Sequence, residues 1–343
     1  KHCRKACVMP QIFSQILGTG SALPERATTN NQLADELALR GIETSDEWIK
    51  TRTGIEKRYL AERGLTTTQL ALRASQSALW DAGVSPDEID LIIVATTTPD
   101  MVFPSTACQL QKQLGCKKGG AFDLQAVCAG FIYALANADA LIRTGVYKKA
   151  LVVGADVMSR IVDWDDRSTC VLFGDGAGAV VLGASQEPGI LSASLSADGS
   201  LDEKVLGCTG YISGGEVFGE PFVRMDGQQV FRMAVSSMAE SAQAVLEAAH
   251  LGVNDINLYV PHQANLRIMQ KVAQKIGIDD SKMVVTVNRH GNTSAASVPL
   301  ALDNAARHAR MKKGDVVLMQ AVGAGMAWGS VLVKWTRDEE SAN

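Results

Sequence analysis

The sequence predicts an α/β protein built from two similar halves around mostly parallel, covered sheets. Three observations carry this. Continuous apolar runs such as residues 89–96 alternate with segments of helical periodicity, the pattern of buried strands joined by helices. A long pattern recurs about 160 to 170 residues later in the chain. Aromatic residues make up only 5% of the 343 residues while 31 are glycine, so helices and sheets are expected to pack closely through small side chains.

Each element follows in order. Residues 11–17 read as a strand, and Gly18 and Gly20 as the turn that ends it, since no G-x-x-x-x-G-K pattern follows. Asn30 or Asn31 is placed to cap a helix through Leu39. A second capped helix starts near Ser45 and closes over residues 51–55. Trp48 and Arg52 lie four apart on it and share a face. They form either a surface tryptophan over an arginine stem or a stacking site for a flat ligand. Helices are expected over 66–82 and 105–114, each stopped by a glycine, with the strand 89–96 between them.

Residues 121–124 are the next strand. A tight bend then carries Cys128 into a helix with Phe131, Leu135, Ala138 and Ile142 at helical spacing. Residues 150–154 are another buried strand. The segment FGDGAG, 173–178, leads into a strand instead of a helix and lacks G-x-G-x-x-G spacing, so it is not read as a dinucleotide site. Residues 184–226 are the least periodic and read as a connection with short strands, before a long helix over 227–249.

The repeat then matches GVSPDEIDLIIVATTTP (83–99) with GVNDINLYVPHQA (252–264), and LQKQLG (110–115) with VAQKIG (272–277). It also matches the Cys128 strand, bend and helix with VVTVNRHGNTSAASVPLALDNAA (284–306), and VYKKALVVGAD (146–156) with MKKGDVVLMQAVG (311–323). Its consequence is functional. Residues that do chemistry in open α/β sheets gather at the carboxyl ends of strands. Cys128, His262 and Asn292 each fall at such an end, the last on the bend matched to that of Cys128. A thiol in the first turn of a helix meets unpaired N–H groups and the positive end of the dipole, which favour the nucleophilic thiolate. A buried structural cysteine is the alternative for Cys128 taken alone.

Composition narrows the function classes. A formal net charge of −4 argues against nucleic acid as the main partner. No apolar run is long enough for a membrane span, and the first eight residues lack the apolar core of a signal peptide. Met9 is a candidate natural start, and residues 1–10 are expected to be a disordered extension. Seven cysteines, an odd number without CxxC spacing, suit free thiols in a reducing cytoplasm and give no metal site.

Three motifs, AFDLQAVCAGFIYAL, VPHQANLRI and NRHGNTSAASVPLAL, resemble the Cys, His and Asn motifs of the β-ketoacyl-acyl-carrier-protein synthase III family, thiolase-fold condensing enzymes that start type II fatty acid synthesis. The resemblance runs from about Gln11 to Trp335 and includes SDEWIKTRTGI, FPSTACQ, DDRSTCVLFGDGAGA and AWGS. It implies a thiolase-like fold layered α-β-α-β-α. The halves would be 11–183, with the nucleophile, and 227–336, with His and Asn, followed by a tail at 337–343. It implies a short acyl-CoA, acetyl-CoA above all, as primer and malonyl-acyl-carrier-protein as extender. No tightly bound cofactor or metal is expected, and a cytoplasmic homodimer is.

The same resemblance assigns residues. Cys128 is the nucleophile, and His262 and Asn292 stabilise the enolate; Cys128 and Ala324 in the loop 323–325 supply the oxyanion hole. Trp48, Arg52, Thr53, Arg167, Gly227, Gln228, Phe231, Ala264 and Asn265 are expected to meet CoA or pantetheine, with the adenine between Trp48 and Arg167. Arg232, Arg267 and Lys275 would receive the acidic carrier protein. Phe103 of a partner subunit, Met158, Val322 and Met326 would wall the acyl pocket. His290, two residues from Asn292, is read as structural. The chain departs from the family at Gln228, often Asn, and at Val322, Ala324 and Met326, where close relatives commonly carry Phe, Gly and Phe. That altered loop motivates an alternative, a longer or specialised primer on the same site. A non-catalytic acyl-CoA binding module and a cysteine hydrolase are the competing classes.

Overall fold

The computed structural model describes residues 11–200 and 205–338. The extension expected at 1–10 lies outside the described residues, as does 339–343 of the expected tail. In the first half, strand β1 (Phe13–Ala22) is followed by a short pair, β2 (Ala27–Thr29) and β3 (Lys57–Tyr59), which brackets helices α1 (Asn30–Ala38) and α2 (Asp46–Thr53). Then come α3 (Thr67–Ala82), β4 (Leu91–Ala95), α4 (Thr106–Leu114), β5 (Gly120–Leu124), α5 (Gly130–Arg143), β6 (Lys149–Val157), the short α6 (Arg167–Cys170) and β7 (Asp175–Ser185). Hydrogen-bonding side chains mark the helix starts. Ser45 caps α2, Thr66 caps α3 in a capping box with Gln69, and Ser105 caps α4. The cap of α1 is Thr29, one residue before the expected asparagines.

The first sheet has the order β1-β7-β6-β4-β5, with β6, β4 and β5 parallel and β7 antiparallel to both its neighbours. The second is built from β8 (Ile190–Ala197), β13 (Ile256–Pro261), β14 (Val316–Gly323) and β15 (Ala327–Lys334), in the order β8-β15-β14-β13. Its strand directions repeat those of the first sheet. The counterpart of β5 is reduced to one parallel bridge between Tyr259 and Met283. Duplication is thus visible in topology as well as in sequence.

Five layers result. Helices α3 and α4 cover the outer face of the first sheet, while α7 (Gly227–Ala248) and α8 (Leu266–Ile276) cover that of the second. After the single turn α9 (Val287–His290) comes α10 (Ser297–Arg307), which lies with α5 between the two sheets. That middle layer joins both sheets in one core, from Ile93, Phe131 and Leu135 to Val298, Leu302 and Val331.

Three expectations about the chain are corrected. Gly18 and Gly20 do not end β1, which runs through them to Ala22. Helix α3 lies so close that a Cβ on Gly20 would sit 2.3 Å from the Ala78 nitrogen, so packing demands the glycines. Residues 184–226 are not one connection, because β8 is an integral strand of the second sheet, paired along its length with β15. Only the later part of that segment is irregular, with the short pairs β9 (Leu206–Gly207) with β12 (Arg224–Met225) and β10 (Tyr211–Ser213) with β11 (Glu216–Phe218). The tail does not begin at residue 337, since Arg337 makes a two-pronged ion pair with the buried Asp81 at 2.7 and 2.9 Å.

Candidate active site

The carboxyl end of β5 leads through Gln125 and Ala126 into a single 3-10 turn, Val127–Ala129, and then into α5. Val127 has φ +48°, in the left-handed region that a β-branched residue rarely adopts. In the second half a 3-10 turn starting at Ser294, φ +51°, leads into α10. Backbone geometry therefore pairs Val127 with Ser294 and Cys128 with Ala295. The expected pairing of the Cys128 bend with Gly291–Asn292 is shifted, because the four-residue α9 is added in the second half.

Cys128 is buried, and its Sγ lies 3.6 Å from Ser294 Oγ. Burial pushes the thiol up to about 12, with Asp156 adding to the rise and the Ser294 hydroxyl opposing it. The resting thiolate expected at a helix start is thus corrected to a neutral thiol. Asp156 is fully buried beside it; its Oδ1 accepts from Thr96, Thr97 and Thr98, and its Oδ2 from the Ala295 amide at 3.1 Å. One carboxylate thereby ties the end of β4 to the turn before α10. Packing keeps residue 130 small, since a Cβ on Gly130 would lie 3.0 Å from that of Ala95.

His262 follows β13, its backbone N–H donating to Gln320 O at 2.7 Å. Burial pushes its pKa down to about 4, so the imidazole is neutral. Its Nδ1 lies 2.6 Å from Ser297 Oγ, and that oxygen accepts from the Gln263 amide at 3.3 Å. With a lone pair so engaged, the serine satisfies both groups by donating its proton to Nδ1. This assigns the remaining ring proton to Nε2. Gln263 is buried with all four of its amide bonds made: Nε2 donates to Pro261 O and Val284 O, and Oε1 accepts from Thr286 and Val287. It locks the His262 strand end to the segment that carries Asn292.

Asn292 is buried, and its Oδ1 accepts from the Ser294 amide at 2.9 Å, which orients Nδ2 as the outward donor. Its backbone is clamped by Leu172 O, which accepts from Asn292 N, and by Gly174 N, which donates to Asn292 O. This is the work of the glycine-rich segment after residue 172. A Cβ on Gly174 would lie 2.4 Å from His290 O. Beneath the clamp lies Arg58, fully buried, donating to Val171 O and Asn30 Oδ1 at 2.8 Å each. Burial lowers its pKa to about 10, which leaves it charged. Sequence reading found neither Arg58 nor Gln263 nor Ser297, and only the motif context of VPHQAN and SAASV signalled the last two.

The turn between β14 and β15 closes the site. A Cβ on Gly323 would lie 2.8 Å from both Ala126 O and Cys128 N, so two backbones meet here and bring Ala324 beside the nucleophile. A cavity of about 990 Å³ is lined by Cys128, His262, Asn292 and Ala324 together. It is also lined by Arg52, Gly227, Gln228, Phe231, Ala264, Asn265, Met158 and Val322, and at its rim by Arg232 and Arg267.

Other expected residues fall outside the lining. Trp48 lies beside it, with the guanidinium carbons of Arg52 and Arg167 each 4.5 Å from the ring centroid, so both arginines stack on the indole. Arg167 also donates to Glu43 O at 2.8 Å, so the slot expected to take a flat ring between Trp48 and Arg167 is closed by their mutual contact. Thr53 is corrected to a structural role; buried, it donates to Ile49 O and accepts from Ile55 N. Asn265 caps α8 and donates to Arg52 O at 3.1 Å, joining the two helix ends at the mouth. Met326 is corrected as well: it is buried in the β14–β15 turn, away from the cavity, where its carbonyl accepts from Asp198 N. Lys275 is exposed on α8, and Phe103 is 82% exposed beside Met101 and Val102. His290 is half-buried, held neutral with a pKa down to about 4 chiefly by desolvation, and edge-on to Tyr59, consistent with a structural role. Among the described residues there is no cluster that could hold a metal, and no helix long and apolar enough to cross a membrane.

Two duplicated α/β halves with a buried cysteine, a neutral histidine and an oriented asparagine around one deep cavity define a thiolase-fold condensing enzyme. Family models agree: residues 122–199 match the 3-oxoacyl-[acyl-carrier-protein] synthase III model, and residues 246–335 its C-terminal model. A β-ketoacyl-[acyl-carrier-protein] synthase III of Bordetella petrii is 58% identical over 94% of this chain and 98% of its own. The solved 3-oxoacyl-[acyl-carrier-protein] synthase III of Aquifex aeolicus is 46% identical, with a TM-score of 0.87, over 94% of this chain and all of that one. The priming β-ketosynthase of a polyketide pathway is 36% identical, with a TM-score of 0.88, over 97% of this chain and 99% of its own. The chain belongs to the β-ketoacyl-acyl-carrier-protein synthase III family, acyltransferases of fatty acid synthesis.

Proposed function

We propose that the chain condenses a short acyl-CoA, acetyl-CoA first, with malonyl-acyl-carrier-protein through an acyl-Cys128 intermediate. The observation that carries this is the shared cavity of Cys128, His262 and Asn292, with the two polar side chains oriented as neutral donors. In the first step Cys128 Sγ attacks the thioester carbonyl, and the thiol proton leaves on the sulfur of CoA. No standing thiolate is required. The N–H groups of Cys128 and Ala324 take the developing oxyanion. In the second step malonyl-carrier protein loses CO₂, and its bonding pair becomes an enolate. His262 Nε2–H and Asn292 Nδ2–H donate to the enolate oxygen. The carbanion then attacks the acyl-Cys carbonyl, and the cysteine leaves and recovers a proton from solvent. No metal or tightly bound cofactor enters either step.

The mouth supports the partner assignment. Trp48, Arg52 and Arg167 offer a flat aromatic and two cations for a nucleotide, provided Arg167 swings off the indole. Gly227, Gln228, Phe231, Ala264 and Asn265 then follow the pantetheine arm inward. Arg232 and Arg267 at the rim, with Lys275 further along α8, suit an acidic carrier protein on a chain of net charge −4. The exposed apolar run Met101–Phe103 suits burial in a homodimer, with Phe103 reaching the partner's acyl pocket. Intact-mass spectrometry after mixing with acetyl-CoA tests the reading. The protein gains one acetyl group and Cys128→Ala gains none; equal labelling of both would refute the covalent route.

A further inference from the structure

The proposed oxyanion hole draws one donor from each half of the molecule, Cys128 N–H from the turn before α5 and Ala324 N–H from the loop between β14 and β15. Their spacing depends on what joins that turn to that loop. Strands β14 and β15 pair up to Gly323 and Ala327, which leaves Ala324, Gly325 and Met326 as a three-residue loop. Gly325 and Met326 both have left-handed backbones, at φ +66° and +42°. That conformation is costly for methionine, so the loop keeps its shape only where neighbours hold it. The end of strand β8 is such a neighbour. Ala197 pairs with Ala327, and Asp198 N donates to Met326 O at 3.0 Å. Strand β8 is itself the edge of its sheet. Tyr133, in the first turn of α5, reaches across to it, its hydroxyl donating to Ser196 O at 2.7 Å. The helix that starts at the nucleophile is thus tied to the strand that holds the oxyanion loop.

We propose that Tyr133 is a positioning residue for the oxyanion hole: its hydroxyl holds Ser196 O and so fixes the Ala324 N–H in register with that of Cys128. The inference rests on Ala324 being an oxyanion donor. Three features favour a role beyond packing. The bond spans 63 residues of sequence and joins the first half to the second sheet, whereas a bond within a helix or strand secures only its own element. The ring packs against the core shared by both sheets, which gives the hydroxyl a fixed mount. Partial burial raises the phenol above its ordinary pKa, so it remains a donor at any pH at which the enzyme works. Oxyanion donors act at close range, and misplacing one by about an ångström costs on the order of a hundredfold in rate.

Tyr133→Phe keeps the ring and removes the bond. Single-turnover acetylation of Cys128 by acetyl-CoA is expected to fall about three- to tenfold in maximal rate, the range that one neutral hydrogen bond commands, with half-saturation unchanged. The second readout is the carbonyl stretch of the isotope-labelled acetyl-enzyme in difference infrared spectra. Oxyanion donors polarise that carbonyl and lower its frequency, so Tyr133→Phe moves the band up towards that of a free thioester. Asn137→Ala is the control. It removes a bond made to Tyr133 O within α5, and is expected to change neither rate nor band. An unmoved band and an unchanged rate in Tyr133→Phe, with a lower melting temperature alone, would overturn the proposal and leave Tyr133 a structural residue. Equal effects in Tyr133→Phe and Asn137→Ala would also overturn it, since general loosening of α5 then explains both. A natural-chain band at the free-thioester position would overturn Ala324 as donor, and the absence of any acetyl adduct would overturn the covalent route; either removes the premise of the proposal.

Discussion

Ser297→Ala isolates the part of the site that acts only in the condensation step. Ser297 touches neither cavity nor ligand; it fixes the proton of His262 through a 2.6 Å contact to Nδ1. Without the hydroxyl, a ring that stays Nε2–H leaves Nδ1 as a buried acceptor without a partner, at a cost of about 1–3 kcal/mol. A ring that shifts its proton to Nδ1 presents a lone pair to the enolate where a donor is needed. Either way the cost falls on the state with charge on the enolate oxygen, and about 1.4–2.8 kcal/mol is about 10- to 100-fold in rate. Two assays separate the steps: stopped-flow acylation of Cys128 by acetyl-CoA, and consumption of malonyl-carrier protein by preformed acyl-enzyme. Acylation is expected within about threefold of the natural chain, and condensation down about 10- to 100-fold. Equal loss in both steps, or none in condensation, would refute the tautomer assignment. The natural chain also carries a pH test. Burial holds His262 neutral down to about 4, so condensation shows no inflection in the ordinary histidine range. One near pH 6.5 that vanishes in His262→Ala would contradict the buried neutral ring.

The remaining predictions follow from the same geometry. Burial of the Cys128 thiol predicts that iodoacetamide alkylation keeps rising with pH through at least pH 9; a plateau below pH 8 would show that the helix terminus wins over burial. The histidine also affects stability. His262 is neutral in the fold but protonated in the unfolded chain below about pH 6.5, so its contribution is present above that pH and lost as pH falls towards 4. Urea midpoints measured from pH 7 to 4.5 should fall, and a His262→Gln chain should lose part of that slope. Gly323→Ala places a Cβ 2.8 Å from Ala126 O and Cys128 N, which displaces one oxyanion donor; acylation should drop about 100-fold or more, and a near-normal rate would argue against Ala324 as donor. Arg58→Met leaves Val171 O and Asn30 Oδ1 unpaired in the interior; a loss of about 2–4 kcal/mol in urea unfolding is expected, with condensation falling more than acylation.

How much of this was legible in advance follows a physical line. Helix starts and stops were read to within a residue or two because caps and C-terminal glycines act over three or four positions. The duplication was visible because each half repeats its own local pattern. Strand-end positions then singled out Cys128, His262 and Asn292, and all three line one cavity. Readings failed where a residue's partner is distant in sequence. Gly18 and Gly20 look like a turn until α3 lies against β1. Thr53 and Met326 match motif positions, but one is spent on its own helix and the other is folded into a turn. Arg58 reads as an ordinary basic residue, and nothing near it in the chain shows that it lies buried under the Asn292 clamp.

The sequence by itself determined the two-fold repetition, the sheet-and-helix alternation and the identity of the three reactive side chains, since these depend on local periodicity and recurrence. Only the tertiary structure decided the chemical state of those side chains. The thiol is neutral because the core around Cys128 excludes water. The imidazole presents Nε2–H because a serine 35 residues away meets its other nitrogen. The asparagine faces outward because the segment leading into β7 holds its backbone and the Ser294 amide holds its side-chain oxygen. Protonation and orientation are set by burial and by long-range hydrogen bonds, which come into being only when the chain has folded.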